Sequence, residues 1–209
     1  MTVILASKDS SNDSIYIGSD LLSSNEYNSY KKTKIIQKED KDGNLIVFAV
    51  AGYTWLTDYI KNCNLKIIND VQTLSPYNYI KEVLFYMYDD LSENKLIPIY
   101  NEEKDSCSNI IIIYKNKIYS IQSNFAIVEE DNYEAIGSGY PTATGAFLAS
   151  KLAGLSTKKS IEAALKITID NNKSCGLGYE IYKIKNNKIK LIKSKEQYMG
   201  AINWTTLTK

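Results

Sequence analysis

The sequence predicts an α+β fold in which two antiparallel sheets pack on each other between outer helix layers, a four-layer αββα sandwich. The predicted elements run strands, helices, strands, helices, strands, which is not the alternation that builds parallel βαβ sheets. The strands fall in hairpins, as antiparallel strands do. The run LIVFAVA at 45–51 is apolar on both of its faces, so a packed layer has to cover each side of it.

Two hairpins are predicted at the start of the chain. Residues 3–8 and 14–19 are apolar-rich runs separated by turn-forming residues that include SSND. A polar stretch, SSNEYNSYKK, follows them. Residues 33–39 and 45–51 then flank a turn near Asp42 and Gly43, which predicts the second hairpin.

The helices are predicted from apolar spacing and from residues typical of helix ends. Ser75 and Pro76 are typical of an N-cap and a first turn, and apolar residues follow them every three or four positions as far as Leu91. The predicted helices cover 54–61, 76–91, 141–152 and 156–170. The remaining strands are predicted at 109–115, 117–123, 125–130, 178–184 and 188–193, with turns at Lys115 and Asn116, at Ser123 and Asn124, and across KNN.

The composition favours one domain that spans residues 1–209, with a C-terminal tail at about 194–209 that contains Trp204. A formal net charge of +1 and the lack of any arginine argue against nucleic acid as a partner. No apolar run approaches the roughly 18 residues of a membrane span, and no signal peptide is recognisable. Three separated cysteines, Cys63, Cys107 and Cys175, suggest a reducing compartment, so we expect a cytoplasmic protein.

The chain has no histidine, which removes most serine and cysteine hydrolase mechanisms and most catalytic zinc sites. The α-amino group, with an unperturbed pKa of roughly 8, is another base that works near neutral pH. Removal of Met1 would make Thr2 the first residue, and a terminal threonine carries both nucleophile and base. Such a site also needs a positive charge that lowers the pKa of the threonine hydroxyl, and a carboxylate that orients this charge. Lys34 and Asp20 stand at strand ends, where they could supply the charge and the carboxylate.

These residues resemble the proteasome β-subunit family, and most of all its bacterial branch, the HslV peptidases, within the N-terminal nucleophile hydrolases. The resemblance rests on MTVIL, IYIGSD, TKII, FAVAG and YEAIGSGYPTATGAFLASKL, in that order, and covers residue 2 to about 184. In the last of these a strand, a Gly-Ser-Gly turn and an alanine-containing helix follow each other in the family's order. It implies the αββα sandwich and a threonine endopeptidase that degrades unfolded polypeptide. It also implies a homo-oligomeric ring, with an AAA+ ATPase unfoldase as a further partner.

The resemblance assigns a role to each matching residue. Thr2 matches the nucleophile, Asp20 the orienting acid and Lys34 the lysine that lowers the pKa of the threonine hydroxyl. Gly52 matches the oxyanion-hole glycine, and Ser138 the serine near the amine. Val50 and Thr54 fall where the family shapes its specificity pocket, which suggests that a medium apolar side chain is accepted. Peptide-bond cleavage of this kind requires no cofactor or metal, and a structural cation is left open.

The sequence departs from the family's pattern at three supporting positions. Tyr53 stands where many relatives have a second glycine, and Asn172 and Cys175 stand where they have an aspartate and a serine. Cys175 has no imidazole to activate it, so a small buried residue is the expectation. Two alternatives to the peptidase remain: a non-catalytic proteasome-like subunit, and an amidohydrolase or transpeptidase that uses the same threonine.

Overall fold

The computed structural model describes residues 2–24, 28–67, 74–93, 108–122 and 126–196. In these ranges the strands are β1 (Ile4–Asp9), β2 (Ser14–Asp20), β3 (Leu22–Ser24), β4 (Ser29–Lys31), β5 (Ile35–Glu39), β6 (Leu45–Ala51), β7 (Asn109–Tyr114), β8 (Lys117–Ile121), β9 (Ile127–Glu130), β10 (Tyr133–Ile136), β11 (Gly178–Lys185) and β12 (Lys188–Glu196). The helices are α1 (Thr54–Asn62), α2 (Pro76–Glu93), α3 (Tyr140–Leu152) and α4 (Thr157–Asn171), with a 3-10 turn at Leu65–Ile67.

Two five-stranded antiparallel sheets form the centre of the fold. The first sheet has the strand order β10-β1-β2-β11-β12, and the second has the order β5-β6-β7-β8-β9. Strands β3 and β4 form a separate two-stranded ribbon. The α+β sandwich that the sequence predicts is confirmed.

Strand β6 shows why each face of a sheet needs its own covering layer. Ile46, Phe48 and Val50 pack with α1 and α2 on one face of the second sheet. Val47 and Ala49 point to the opposite face and pack with apolar residues of the first sheet. Because strand side chains alternate between faces, one apolar run supplies two layers of core.

Each outer layer is held by an apolar helix face. On α2 the Ser75 hydroxyl accepts the Asn78 N–H at 3.2 Å, which caps the helix start as predicted. Helix α4 lies close to β2, since a Cβ placed on Gly18 would come within 2.7 Å of the Leu165 side chain. The buried residues of α2 are Tyr79, Ile80, Val83, Leu84, Met87 and Leu91, and those of α4 are Thr157, Ser160, Ile161, Ala164, Leu165 and Thr168.

Glu162 ties α4 to the first sheet. Its carboxylate accepts hydrogen bonds from Lys166 on the same helix and from Lys193 on β12, each at 2.7 Å, and from the Tyr179 hydroxyl on β11 at 3.1 Å. Partial burial acts to raise the pKa of Glu162, but these three hydrogen bonds outweigh it and lower the pKa to about 2. The carboxyl group is therefore ionised at any pH above mildly acidic values.

Glu134 on β10 has the opposite shift. It lies near Glu130 on β9, so two carboxyl groups meet where the chain passes from the second sheet to the first. Burial, and then the charge of Glu130, raise the pKa of Glu134 to about 7 against the opposing Ala135 N–H. The folded protein therefore holds a proton on Glu134 at pH values where an unfolded chain has lost it.

Most predicted elements are confirmed within one or two residues, including the turn at Lys115 and Asn116, where both residues have positive φ. Two differences are clear. The polar stretch after β2 contains the β3–β4 ribbon, which was not predicted from the sequence. Strand β12 stays paired with β11 as far as Glu196, so residues 194–196 belong to this strand and not to the predicted C-terminal tail. Met1, Cys107, the turn at Ser123 and Asn124, and Trp204 with the rest of the tail lie outside the described residues. Over the residues that the structure describes, no helix combines the length and apolar character needed to cross a bilayer.

Candidate active site

Thr2 precedes β1 and is almost fully buried, with 5% of its surface exposed. Its carbonyl oxygen accepts the Gly139 N–H at 3.1 Å. Gly137 has φ +90°, and a Cβ there would lie 2.3 Å from the same oxygen. Only glycine fits this close approach, so the Gly-Ser-Gly turn between β10 and α3 clamps the backbone of Thr2.

The nitrogen of Thr2 faces the middle residue of that turn. The Thr2 N–H donates to the Ser138 hydroxyl at 3.4 Å, and the Ser138 carbonyl accepts the side-chain amide of Asn172 at 3.4 Å. In the translated chain this nitrogen is a peptide amide, and removal of Met1 would turn it into an amine at the same place. The predicted neighbourhood of Thr2 and Ser138 is therefore present in the fold.

Asp20 and Lys34 form a buried ion pair beside the start of β1. Lys34 Nζ lies 2.5 Å from Asp20 Oδ1, and their side chains are 6% and 0% exposed. The carboxylate also accepts backbone N–H groups from Val3 at 2.9 Å, Gly176 at 3.1 Å and Leu22 at 3.3 Å. These hydrogen bonds offset the cost of burying the carboxylate and fix the position of the ammonium group.

Burial lowers the pKa of Lys34, against the opposing charge and hydrogen bond of Asp20. The ammonium group therefore holds its proton less tightly than an exposed lysine does. Lys34 belongs to the buried pair and also lines the pocket described below, so its charge acts through a medium that contains little water. A charge in such a place has a larger effect on neighbouring hydroxyl and amine groups than one at the surface.

Gly52 follows β6 with φ +133°, a conformation that side chains rarely adopt. A Cβ at this position would meet the Ser108 hydroxyl at 2.6 Å. The same hydroxyl accepts the Tyr53 N–H at 3.0 Å, so Ser108 fixes the backbone directly after Gly52. No pattern around Ser108 in the sequence pointed to this contact.

A small pocket brings most of the candidate residues together. Thr2, Lys34, Gly52, Val50 and Thr54 all line it. Asp20 and Ser138 lie behind this lining and contact Lys34 and Thr2. Sequence reasoning missed the other lining residues, which are Ser23, Ser24, Lys32 and Thr57.

The three departures from the family's pattern are accommodated in different ways. Cys175 is buried, as expected, and burial raises the pKa of its thiol to about 12, with the charge of Asp20 adding to the effect and that of Lys34 opposing it. Such a thiol is not a nucleophile near neutral pH. Asn172 accepts the Ser174 N–H and donates to Ser138, so it organises the turn behind Thr2. Tyr53 is partly exposed.

No ligand set for a metal accompanies this site. Across the described parts of the chain, no three His, Cys, Asp or Glu side chains are grouped so that they could hold an ion.

Solved structures with a similar fold were found by comparison. BPH from Thiobacillus denitrificans in complex with epoxomicin matches with a TM-score of 0.67 and 20% identity, over 88% of this chain and 98% of BPH. HslV from Trypanosoma brucei matches with a TM-score of 0.59 and 17% identity, over 88% of this chain and 99% of HslV. The helical assembly of Anbu from Pseudomonas aeruginosa matches with a TM-score of 0.67 and 13% identity, over 94% of this chain and 87% of the Anbu chain.

No family model matches the sequence, and no curated protein matches it. At these identities the likeness to solved structures concerns the fold alone. The chain has the proteasome-like αββα fold, which the sequence resemblance implied.

Proposed function

We propose that this chain is a threonine peptidase of the proteasome type, with Thr2 as the nucleophile once Met1 is removed. The observation that carries the proposal is the buried Asp20–Lys34 pair, because Lys34 lines the same pocket as Thr2. Burying a lysine and an aspartate is costly and does little for stability that apolar residues would not do. A charged pair held at a pocket wall beside a clamped threonine fits a catalytic role better than a structural one.

In the proposed reaction the free amine of Thr2 takes the proton from the threonine hydroxyl as Oγ1 attacks the carbonyl carbon of a peptide bond. Lys34 stabilises the hydroxyl oxygen as it gains negative charge. The N–H of Gly52 donates to the oxygen of the tetrahedral intermediate. The amine then passes its proton to the leaving amino group, and the carbonyl carbon remains bound to Thr2 as an ester.

A water molecule completes the cycle. The Thr2 amine takes a proton from the water, the hydroxide attacks the ester carbon, and the proton returns to Oγ1 as the acid product leaves. Ser138 contacts the nitrogen of Thr2 and positions it for both steps. No cofactor takes part in this scheme.

The matched solved structures support the proposal through the shared fold, and one of them suggests a probe for its chemistry. BPH is described in complex with epoxomicin, and its chain is covered over 98% of its length. We propose that epoxomicin, or a related peptide inhibitor, reacts with Thr2 here. The Anbu structure is described as a helical assembly. We propose that this chain also works as a homo-oligomer. We further propose that an ATPase supplies it with unfolded polypeptide in the cytoplasm.

The test compares the trimmed chain with Thr2→Ala and Thr2→Ser. We expect the parent to cleave small fluorogenic peptides, the serine variant to keep part of the activity and the alanine variant to lose all of it. Equal turnover by Thr2→Ala would refute the mechanism. A folded, trimmed parent that cleaves none of a broad peptide set would favour a non-catalytic proteasome-like subunit.

A further inference from the structure

Lys32, whose side chain ends in a charged ammonium group, lines the pocket that contains Thr2. Its backbone N–H donates to the Leu21 carbonyl at 3.0 Å, which fixes the chain between β4 and β5. Its Nζ donates to the Thr54 carbonyl at 3.1 Å and to Asp58 Oδ2 at 2.8 Å. The Lys32 side chain is 16% exposed, so the ammonium group belongs to the pocket wall and not to open solvent.

An ammonium group has three protons, and two of those on Lys32 have partners among the described residues. The third proton has no partner in the part of the chain that the structure describes and can be donated to a ligand. Asp58 is 58% exposed, so water weakens the effect of its charge on the pocket. The ammonium group of the other pocket lysine, Lys34, is already paired with the fully buried carboxylate of Asp20.

The remaining lining of the pocket is rich in hydroxyl groups. Ser23, Ser24, Thr54 and Thr57 contribute them, and Val50 is the main apolar contributor. The Ser23 and Thr54 hydroxyls are hydrogen-bonded to the Tyr30 phenol. An apolar side chain bound here would therefore mainly cover the Lys32 ammonium group without replacing the hydrogen bond that it makes to water. A carboxylate would accept a hydrogen bond from this ammonium group.

We propose that Lys32 makes this pocket select an acidic side chain, aspartate or glutamate, on the substrate residue whose carbonyl carbon is attacked. The inference rests on the proposed peptidase function. It replaces the medium apolar side chain that Val50 and Thr54 suggested from the sequence. Because a site built to hydrogen-bond one group rejects an analogue that lacks it, we expect glutamate or aspartate over leucine by about tenfold or more in kcat/KM.

The first experiment uses trimmed protein and fluorogenic peptides that differ only at this position, with Asp, Glu, Gln or Leu. We expect the acidic peptides to be cleaved best. In Lys32→Met the ratio of acidic to leucine turnover should fall towards one. Lys117→Met is the matched control, since Lys117 is 41% exposed, pairs with Glu129 and does not line the pocket, so its ratio should match the parent's.

A second experiment separates this inference from the proposed function. Labelled peptides of the same set are titrated onto Thr2→Ala protein with and without Lys32→Met, and binding is followed by fluorescence polarisation. Tighter binding of the acidic peptides that depends on Lys32 supports the inference even if no peptide is cleaved. Leucine bound or cleaved as well as glutamate, or a preference that survives Lys32→Met, would overturn it.

Discussion

Replacing Asp20 with asparagine removes the charge that balances buried Lys34 and leaves the shape of the side chain almost unchanged. The carboxylate accepts four hydrogen bonds, one from Lys34 and three from backbone N–H groups. Asparagine offers one oxygen, and its amide group would point N–H donors at other donors. Breaking a buried ion pair from one side costs about 3–5 kcal/mol, and we expect Asp20→Asn to lose about 4 kcal/mol of unfolding free energy.

A double-mutant cycle isolates the pair itself. Lys34→Met alone leaves Asp20 with its three backbone donors, so we expect a smaller loss of about 2 kcal/mol. In the double variant no charge is left unpaired, and we expect the loss to be smaller than the sum of the two single losses by about 2 kcal/mol. The measurement is urea unfolding at pH 7 and one protein concentration, analysed by linear extrapolation.

Glu129→Gln is the control for this cycle. It removes the partner of Lys117 in a pair whose side chains are 35% and 41% exposed, so the expected change is below about 1 kcal/mol. A loss of less than about 1 kcal/mol in Asp20→Asn, or strict additivity in the double variant, would refute the reasoning. Either result would mean that the buried pair does not hold Lys34 in place.

Two further predictions concern pH and have opposite signs. The pKa of Glu162 lies at about 2 in the folded chain, below its ordinary value of 4.5, so its contribution is complete above pH 4.5 and is lost as the pH falls through 2. Glu162→Gln should therefore cost about 2 kcal/mol at pH 7 and almost nothing at pH 2, whereas exposed Glu82→Gln should change little at either pH; a difference that does not depend on pH would contradict this. The pKa of Glu134 is raised to about 7, so stability falls as the pH rises from 4.5 through 7, and Glu134→Gln should be more stable than the parent by about 2 kcal/mol at pH 8. Unfolding curves at pH 5 and pH 8 check this, and a parent whose stability is level between these two values would contradict it.

The candidate site could be predicted from the sequence where its residues lie at the ends of apolar strands. Asp20 ends β2 after the apolar run IYI, and Lys34 directly precedes β5 and its apolar pair II. Gly137 and Gly139 were visible as a short glycine motif between a strand and a helix. Their close contacts with the backbone of Thr2 explain why small residues are needed there.

The pocket wall opposite these residues could not be predicted in this way. Strands β3 and β4 contain three residues each, and after Leu21 and Leu22 the sequence around them is mostly polar. Such short strands are not stable on their own, and they are held by contacts distant in sequence, among them Lys31 with Glu196. Local patterns therefore gave no sign that Ser23 and Lys32 face Thr2. The polar character of the pocket followed only from the fold.

The intact mass of a chain expressed from its own Met1, measured on the sample that is assayed for peptide cleavage, tests the central claim most directly. The account predicts a mass that lacks one methionine, and cleavage that depends on Thr2. A chain that lacks Met1, is folded and cleaves none of the acidic, amide or leucine peptides would contradict the claim that Thr2 is a nucleophile. So would cleavage by a chain that keeps Met1, because its Thr2 nitrogen is an amide and cannot act as the base.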